Sequence, residues 1–355
     1  VKDTLLLGGI TAFFVVLITM PSLIKVAKMK HLVDEPDSAR KLHRSSVPTI
    51  GGIIIFSSII FSFSLWFPVS HYDNQESLWS LKALVSSLVL LFFIGVKDDI
   101  IGTAPLKKLL ANLVAAFIVV IVAEIKITSM HGLFGIHQLP NWASVLLSLY
   151  VYIVIINAYN LIDGIDGLAG GVGCINAVFF GVWFMYVGNE PMALLSFVLA
   201  GSLLGFLVFN FSPARVFMGD SGALTIGSVI SILAIRLINH PTESLPEFLS
   251  GVPTPIFTMV VLVYPLIDTL RVFVVRVIKG QSPFSADNNH IHHRLLKLGL
   301  NHRRTVLVIY LFNVVIVLLS FFINFGNLTL GFIILFSIAL LLILTPYLFK
   351  EKNSN

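Results

Sequence analysis

Eleven long apolar stretches run through this chain, and they constrain its fold more than any other feature. They cover residues 4–24, 50–69, 81–97, 108–124, 142–160, 168–187, 192–211, 221–239, 253–275, 304–324 and 328–348. A bilayer core takes about 20 mostly apolar residues per helix. None of the stretches alternates in the manner of a barrel strand. Only helices and closed barrels satisfy their backbone in lipid, so the expected fold is all-α: a polytopic integral membrane helical bundle of about 11 transmembrane helices. The first stretch reads as a span rather than a cleaved leader, because no small-residue cleavage site follows it. Composition agrees: 57% of the 355 residues are hydrophobic and 12% are charged, against about 25% charged in a soluble domain. With a net charge of only +5, nucleic acid is not an expected partner. The one cysteine, Cys174, excludes a disulfide framework and a thiolate metal site. There is no internal repeat, and a single domain is expected over 1–355.

The basic residues orient the bundle. With the N-terminus outside and the C-terminus cytoplasmic, 19 of the 23 Lys and Arg residues fall on the cytoplasmic side, as the positive-inside rule requires. Only Lys2, Lys82, Lys126 and Arg236 fall outside or near an outer end. The cytoplasmic connections are the longer and more polar ones, and the functional loops are expected near 25–49, 97–108, 157–167, 212–220 and 276–303.

Acidic residues at membrane depth are costly and mark function. Five of the 18 acidic residues form three clusters at cytoplasmic helix ends: Asp98 with Asp99, Asp163 with Asp166, and Asp220. Adjacent carboxylates such as Asp98 and Asp99 favour a cation or a shared proton, although Lys97, Lys107 and Lys108 could also neutralise them. In Asn157–Gly171, Asn160, Asp163 and Asp166 recur every third residue among several glycines. A cap and a helix-packing motif explain one Asp and the glycines, but not two carboxylates and two carboxamides. Asp220 alone would read as an N-cap. Three clusters on one face suit a hard divalent cation, which takes one or two carboxylates, phosphates and water. Asp268 stands inside the stretch 253–275, after Pro265 and three residues before Arg271; an intrahelical ion pair beside a kink accounts for it nearly as well as catalysis does.

The longest cytoplasmic loop carries His290, His292 and His293, followed by Arg294. With no cysteine and no i, i+4 histidine pair, zinc is disfavoured. Imidazoles beside arginines suit an anionic ligand such as a diphosphate, and a basic loop drawn to lipid headgroups is the alternative. The first cytoplasmic loop combines Arg40, Lys41, His43 and Arg44 with Pro48, Thr49 and the pair Gly51-Gly52.

Taken in order, these motifs resemble the polyprenyl-phosphate N-acetylhexosamine-1-phosphate transferases, and within them the bacterial undecaprenyl-phosphate GlcNAc-1-phosphate transferases. The residues carrying the resemblance are Val33-Asp34 through His43, Pro48 with Gly51-Gly52, Asp98-Asp99, Asn157 to Gly171, Phe217 to Gly222, Ser282-Pro283-Phe284-Ser285 and His290 to His293. The resemblance implies a bacterial inner-membrane enzyme working at the cytoplasmic face. A UDP-N-acetylhexosamine would donate sugar-1-phosphate to undecaprenyl phosphate and leave as UMP, with Mg²⁺, or alternatively Mn²⁺, as cofactor. It implies Asp220 as a metal ligand with Asn160 beside it. Asp98 and Asp99 would serve the acceptor phosphate as base or positioning groups, or help to hold the metal. Asp163, Asp166 and Phe217 would face the nucleotide. His290, His292 and His293, with Arg294, would contact the donor diphosphate, and Arg44, Thr49 and Asn210 would line the pocket. A homodimer is compatible with such a fold.

The histidine run is broken by Ile291 and followed by Arg294, whereas the related enzymes that take a peptide-bearing donor carry an acidic residue there. A plain N-acetylhexosamine is therefore expected, GlcNAc first, with UDP-GalNAc and UDP-MurNAc-pentapeptide as alternatives. An ion-coupled transporter is the competing class. It would place carboxylates at the midplane and show inverted repeats; here five gather at one face.

Overall fold

The computed structural model describes residues 2–30, 32–34, 47–68, 75–241, 245, 249, 251–280, 290–323 and 326–350. Each of the eleven apolar stretches is helical over most of its described residues. Eight helices among the described residues are long and apolar enough to cross a membrane, and a bent pair adds a ninth. The chain forms two compact units, Val1–Lys126 with Val145–Arg236, and Ile127–Ser144 with Leu237–Asn355.

The first unit holds α1 (Lys2–Met29), α2 (Gly52–Trp66), α3 (Gln75–Ile101), α4 (Pro105–Phe117), most of α5 (Asn141–Ile162), α6 (Leu168–Tyr186), α7 (Glu190–Asn210) and most of α8 (Gly219–Ile238). A two-residue antiparallel ladder, Val33–Asp34 with Val47–Pro48, precedes α2. Lipid gives helices no hydrophobic drive to associate, so close backbone approach and interhelical hydrogen bonds take over. Small residues let α1 and α7 touch backbone to backbone: a Cβ on Gly201 would stand 2.0 Å from the Gly9 carbonyl oxygen. Ser58 on α2 bonds Ser202 on α7 at 2.6 Å, and Tyr152 on α5 bonds Ser228 on α8 at 2.6 Å. Nearly every residue of α8 is buried, which makes it the axis of this unit.

The start of α8 is fixed from two sides. The chain at 48–52 pairs with 217–218: Phe217 N–H donates to Pro48 O, Gly51 N–H to Phe217 O and Gly52 N–H to Met218 O, at 2.7, 3.0 and 2.8 Å. A Cβ on Gly95 of α3 would meet Ser221 Cα at 2.4 Å. This explains why the Pro48–Gly52 and Phe217–Gly222 motifs occur in one chain.

The second unit holds α9 (Thr254–Val261), α10 (Val263–Ile278), α11 (Ile291–Lys297), α12 (His302–Ser320) and α13 (Leu328–Leu344). The apolar stretch 253–275 is not one straight helix, because α9 and α10 meet at Leu262 with a bend of 73°. Pro265 sits in the first turn of α10, where its missing N–H costs nothing. The segment before α5 folds back on itself through a Ser129–Gln138 bridge.

Candidate active site

Two polar clusters emerge, one in each unit. In the first unit the expected loop at 97–108 is largely helical. Asp98 and Asp99 lie on the last turn of α3, and Lys108 lies on the first turn of α4. Gly102, with φ +73°, makes the reversal between them, a conformation a side chain resists. Carboxylates at a helix C-terminus oppose the helix dipole, so this pair must answer to something outside its own helix.

Asp99 answers to α8. Its Oδ1 accepts the Asp220 N–H at 2.6 Å, and its Oδ2 accepts the Ser221 N–H at 3.1 Å and the Ser221 hydroxyl at 2.6 Å. The first N–H groups of a helix have no partner within it; here a carboxylate from a neighbouring helix supplies one. Gly219 makes room: its φ is +71°, and a Cβ there would stand 2.1 Å from Thr49 O and 2.6 Å from Asp99 Oδ1. Burial pushes the Asp99 carboxyl up to about 6, against the pull of its hydrogen bonds.

Asp98 faces the other way. Its Oδ2 lies 3.5 Å from Lys108 Nζ, the Asn160 Oδ1 lies 3.5 Å from the same ammonium, and Asp220 Oδ2 is in close contact with it. The Asn160 amide also donates to Asp220 Oδ1. Burial and the neighbouring Asp220 carboxylate raise the Asp98 carboxyl, while Lys108 opposes. Three oxygens from three helices thus converge on one cation. Among the described residues no three His, Cys, Asp or Glu side chains group closely enough to hold a metal ion by themselves. Two carboxylates and a carboxamide suit a hard cation that completes its shell with phosphate and water.

Asp163 lies in the turn after α5, where burial pushes it up to about 7 and the charges of Asp220, Asp99 and Asp166 add to the shift. Asp166 is buried and accepts the Ala214 N–H at 3.0 Å. Asn210 is also buried; it accepts the Gly167 N–H and donates to Val216 O, both at 2.9 Å. Both residues therefore tie the 163–167 turn to the 211–217 segment. Thr49 and the Phe217 ring are half-buried at the start of α8. Arg44, with Arg40, Lys41, His43 and the Ser282–Ser285 motif, lies outside the described residues.

The second unit holds the histidines. Asp268 is fully buried on α10. Its Oδ2 lies 2.9 Å from His290 Nδ1, and its Oδ1 accepts the Ile291 N–H at 2.9 Å. Arg271, the expected partner, is only within 4.0 Å. His292 is wholly buried, with Nδ1 3.5 Å from the Tyr264 hydroxyl, and burial pushes it down to about 3, so it is neutral. His293 is half-buried, its ring 4.3 Å from that of His292. The Arg294 guanidinium donates to Phe349 O at 2.7 Å and Pro346 O at 3.3 Å and lies over the Tyr347 ring. His292 thus has one ring nitrogen near Tyr264 and the other, Nε2, buried without a hydrogen-bond partner, while Arg294 bonds backbone carbonyls within the unit.

The sequence alone presents Lys108 only as one of three neutralising lysines. The Gly102–Pro105 reversal, which folds α4 back beside α3, was the available signal.

The chain is similar to known proteins over most of its length. A family model described as Glycosyl transferase family 4 matches residues 81–238, which include every polar group of the first cluster. A Mycobacterium tuberculosis (strain H37Rv) protein named decaprenyl-phosphate N-acetylglucosaminephosphotransferase is 35% identical over 287 residues, covering 77% of this chain and 71% of its own. This chain belongs to glycosyl transferase family 4. Other relatives in the family are similar over comparable lengths. The "Probable undecaprenyl-phosphate N-acetylglucosaminyl 1-phosphate transferase" of Bacillus subtilis (strain 168) is 33% identical over 303 residues, 85% of this chain and 80% of its own. The undecaprenyl-phosphate alpha-N-acetylglucosaminyl 1-phosphate transferase of Escherichia coli (strain K12) is 29% identical over 295 residues, 80% and 74% respectively.

Proposed function

We propose that this chain transfers GlcNAc-1-phosphate from UDP-GlcNAc to undecaprenyl phosphate, releasing UMP. The observation that carries the reading is the convergence of Asp98, Asn160 and Asp220 oxygens on one cation, in a chain whose family relatives are named for this transfer. Supporting the finer points are the basic residues, whose distribution favours eleven spans, an outside N-terminus and an active site on the cytoplasmic face of a bacterial inner membrane.

Phosphoryl transfer is mainly positioning and charge stabilisation. Mg²⁺ or Mn²⁺ held by Asp220 and Asn160 would neutralise and orient the donor diphosphate. Asp98, whose Oδ2 lies 3.5 Å from the same ammonium, would receive the acceptor phosphate or its proton. Asp99 has both oxygens occupied by α8, so its part is to hold Asp220 in place. Lys108 counters the carboxylates and is within reach of an incoming phosphate. Asp163 and Phe217 border the same end of α8, where a nucleotide can be met. His290, buried beside Asp268, and the half-buried His293 would be the histidines that meet the diphosphate.

The test is direct. Purified protein, UDP-GlcNAc, undecaprenyl phosphate and Mg²⁺ should release UMP, and EDTA should stop it. Folded protein that stays silent with UDP-GlcNAc, UDP-GalNAc and UDP-MurNAc-pentapeptide would sink the reading. The same assay run sugar by sugar fixes the donor.

A further inference from the structure

Asp268 is the one acidic residue singled out by the sequence that the transfer reaction leaves without a task. It is also fully buried, on a helix of the second unit, where an idle charge would be costly. Its two oxygens divide their work. Oδ1 accepts the Ile291 N–H at 2.9 Å, at the start of the short histidine helix α11, and Oδ2 lies 2.9 Å from His290 Nδ1. A carboxylate is acceptor only, so the proton of that second contact belongs to the imidazole. His290 Nδ1 must then carry hydrogen, and Nε2 is left as the nitrogen facing away from Asp268.

We propose that Asp268 is a positioning residue for the transferase: it fixes the ring orientation and tautomer of His290, leaving Nε2 as the nitrogen with which His290 would meet an anionic group. The inference rests on the transferase reading and adds to it a residue that never touches substrate. The physics is that of any histidine whose second nitrogen is held by a carboxylate. The partner sets which nitrogen is protonated and how the ring is turned. Arg271 lies at 4.0 Å and on the same helix as Asp268, too distant to replace the imidazole as the main partner. The other titratable groups around the pair are Tyr264 on α10, His292 and His293 on α11, His302 on α12, and Tyr347 after α13.

Asp268→Asn is the informative variant. Its side-chain oxygen can keep the Ile291 N–H, so α11 stays anchored. Its NH₂ then meets His290 Nδ1 as a donor and drives the ring proton to Nε2. The expected result is a loss of roughly 10²-fold or more in kcat, with a smaller change in KM for the UDP-sugar and a shifted pH profile. In a His290→Ala background, the same Asp268→Asn change should cost nothing further, because Asp268 acts through His290. An equal loss in both backgrounds would overturn the proposal. Nitrogen-15 spectra of histidine-labelled protein give a readout that needs no variant to fold. The unmodified chain should show the neutral His290 protonated at Nδ1; protonation at Nε2 instead would overturn the proposal regardless of activity. Absence of turnover by the unmodified chain with every UDP-sugar would instead overturn the transferase reading and this role with it, while the same spectra still decide the pairing itself.

Discussion

The aspartate cluster of the first unit and the histidine cluster of the second use one device to different ends. In each, a carboxylate on one helix reaches the first turn of another. Asp99 on α3 fills both oxygens with the backbone and hydroxyl of Asp220 and Ser221. Asp268 on α10 gives one oxygen to backbone and the other to an imidazole. Asp99 therefore holds a position, whereas Asp268 also fixes which nitrogen of the His290 ring carries the proton. Which of these a buried aspartate does depends on whether its second oxygen meets a fixed dipole or a titratable ring.

The largest expected effects separate the residue held from the residue holding it. Asp220→Ala removes an oxygen from the cation site, and UMP release should fall by more than the roughly 10–100-fold that loss of a supporting partner costs, with the protein still folded by size exclusion. Asp99→Asn should fall within that smaller range and lower thermal stability as well, because loss of a helix cap costs about 1 kcal/mol. Gly219→Ala should resemble Asp99→Asn, since its Cβ would push against Asp99 and Thr49 O. If Asp99→Asn matched Asp220→Ala in activity with an unchanged Tm, Asp99 would be chemical and the contrast between the two carboxylates would fail.

A middle-sized effect concerns Lys108. It fills the point where the Asp98, Asn160 and Asp220 oxygens meet. Lys108→Met leaves those carboxylates facing one another, and like charges at close range repel. The metal-free variant should melt several degrees below the unmodified chain, and millimolar Mg²⁺ should restore more of its Tm than it adds to the unmodified chain. An equal Mg²⁺ response in both proteins would remove the lysine and the metal from the same place.

The membrane class was readable from the sequence because hydropathy is local: the described residues of the apolar stretches are mostly helix, and eight helices, or nine with the bent pair, are long and apolar enough to cross a membrane. The partners were not, because they depend on how helices pack. Pro265 announced a kink, yet the 73° bend falls at Leu262. Asp98 and Asp99 look like one unit in the sequence, but a 100° step along α3 sends them to different neighbours. Asp268 was matched to Arg271 by spacing, whereas its near partner lies 22 residues on. Asn210 and Arg294 have the composition of a binding site and spend their polar atoms on main chain. Side-chain type identified the polar clusters; only the packing of the helices assigned each member its work.

The smallest effect tests the comparison through pH. In the first unit, burial raises Asp163 from 3.8 to about 7 and Asp99 from 3.8 to about 6. Between about pH 4 and pH 7 the folded state thus binds more protons there than the unfolded chain, so this region loses stability as pH rises. In the second unit, burial lowers His292 from 6.5 to about 3. Between those values the folded state binds fewer protons, so that region gains stability as pH rises. The two ends of the contrast should therefore move in opposite directions. In metal-free protein, hydrogen exchange corrected for its intrinsic pH dependence should speed up at the start of α8, and slow in α11, on going from about pH 5 to about pH 7. Asp163→Asn should flatten the first trend and leave the second untouched, and His292→Gln should do the reverse. If both regions moved together, a single global unfolding step would be governing them, and the separate electrostatics of the two clusters would have to be abandoned.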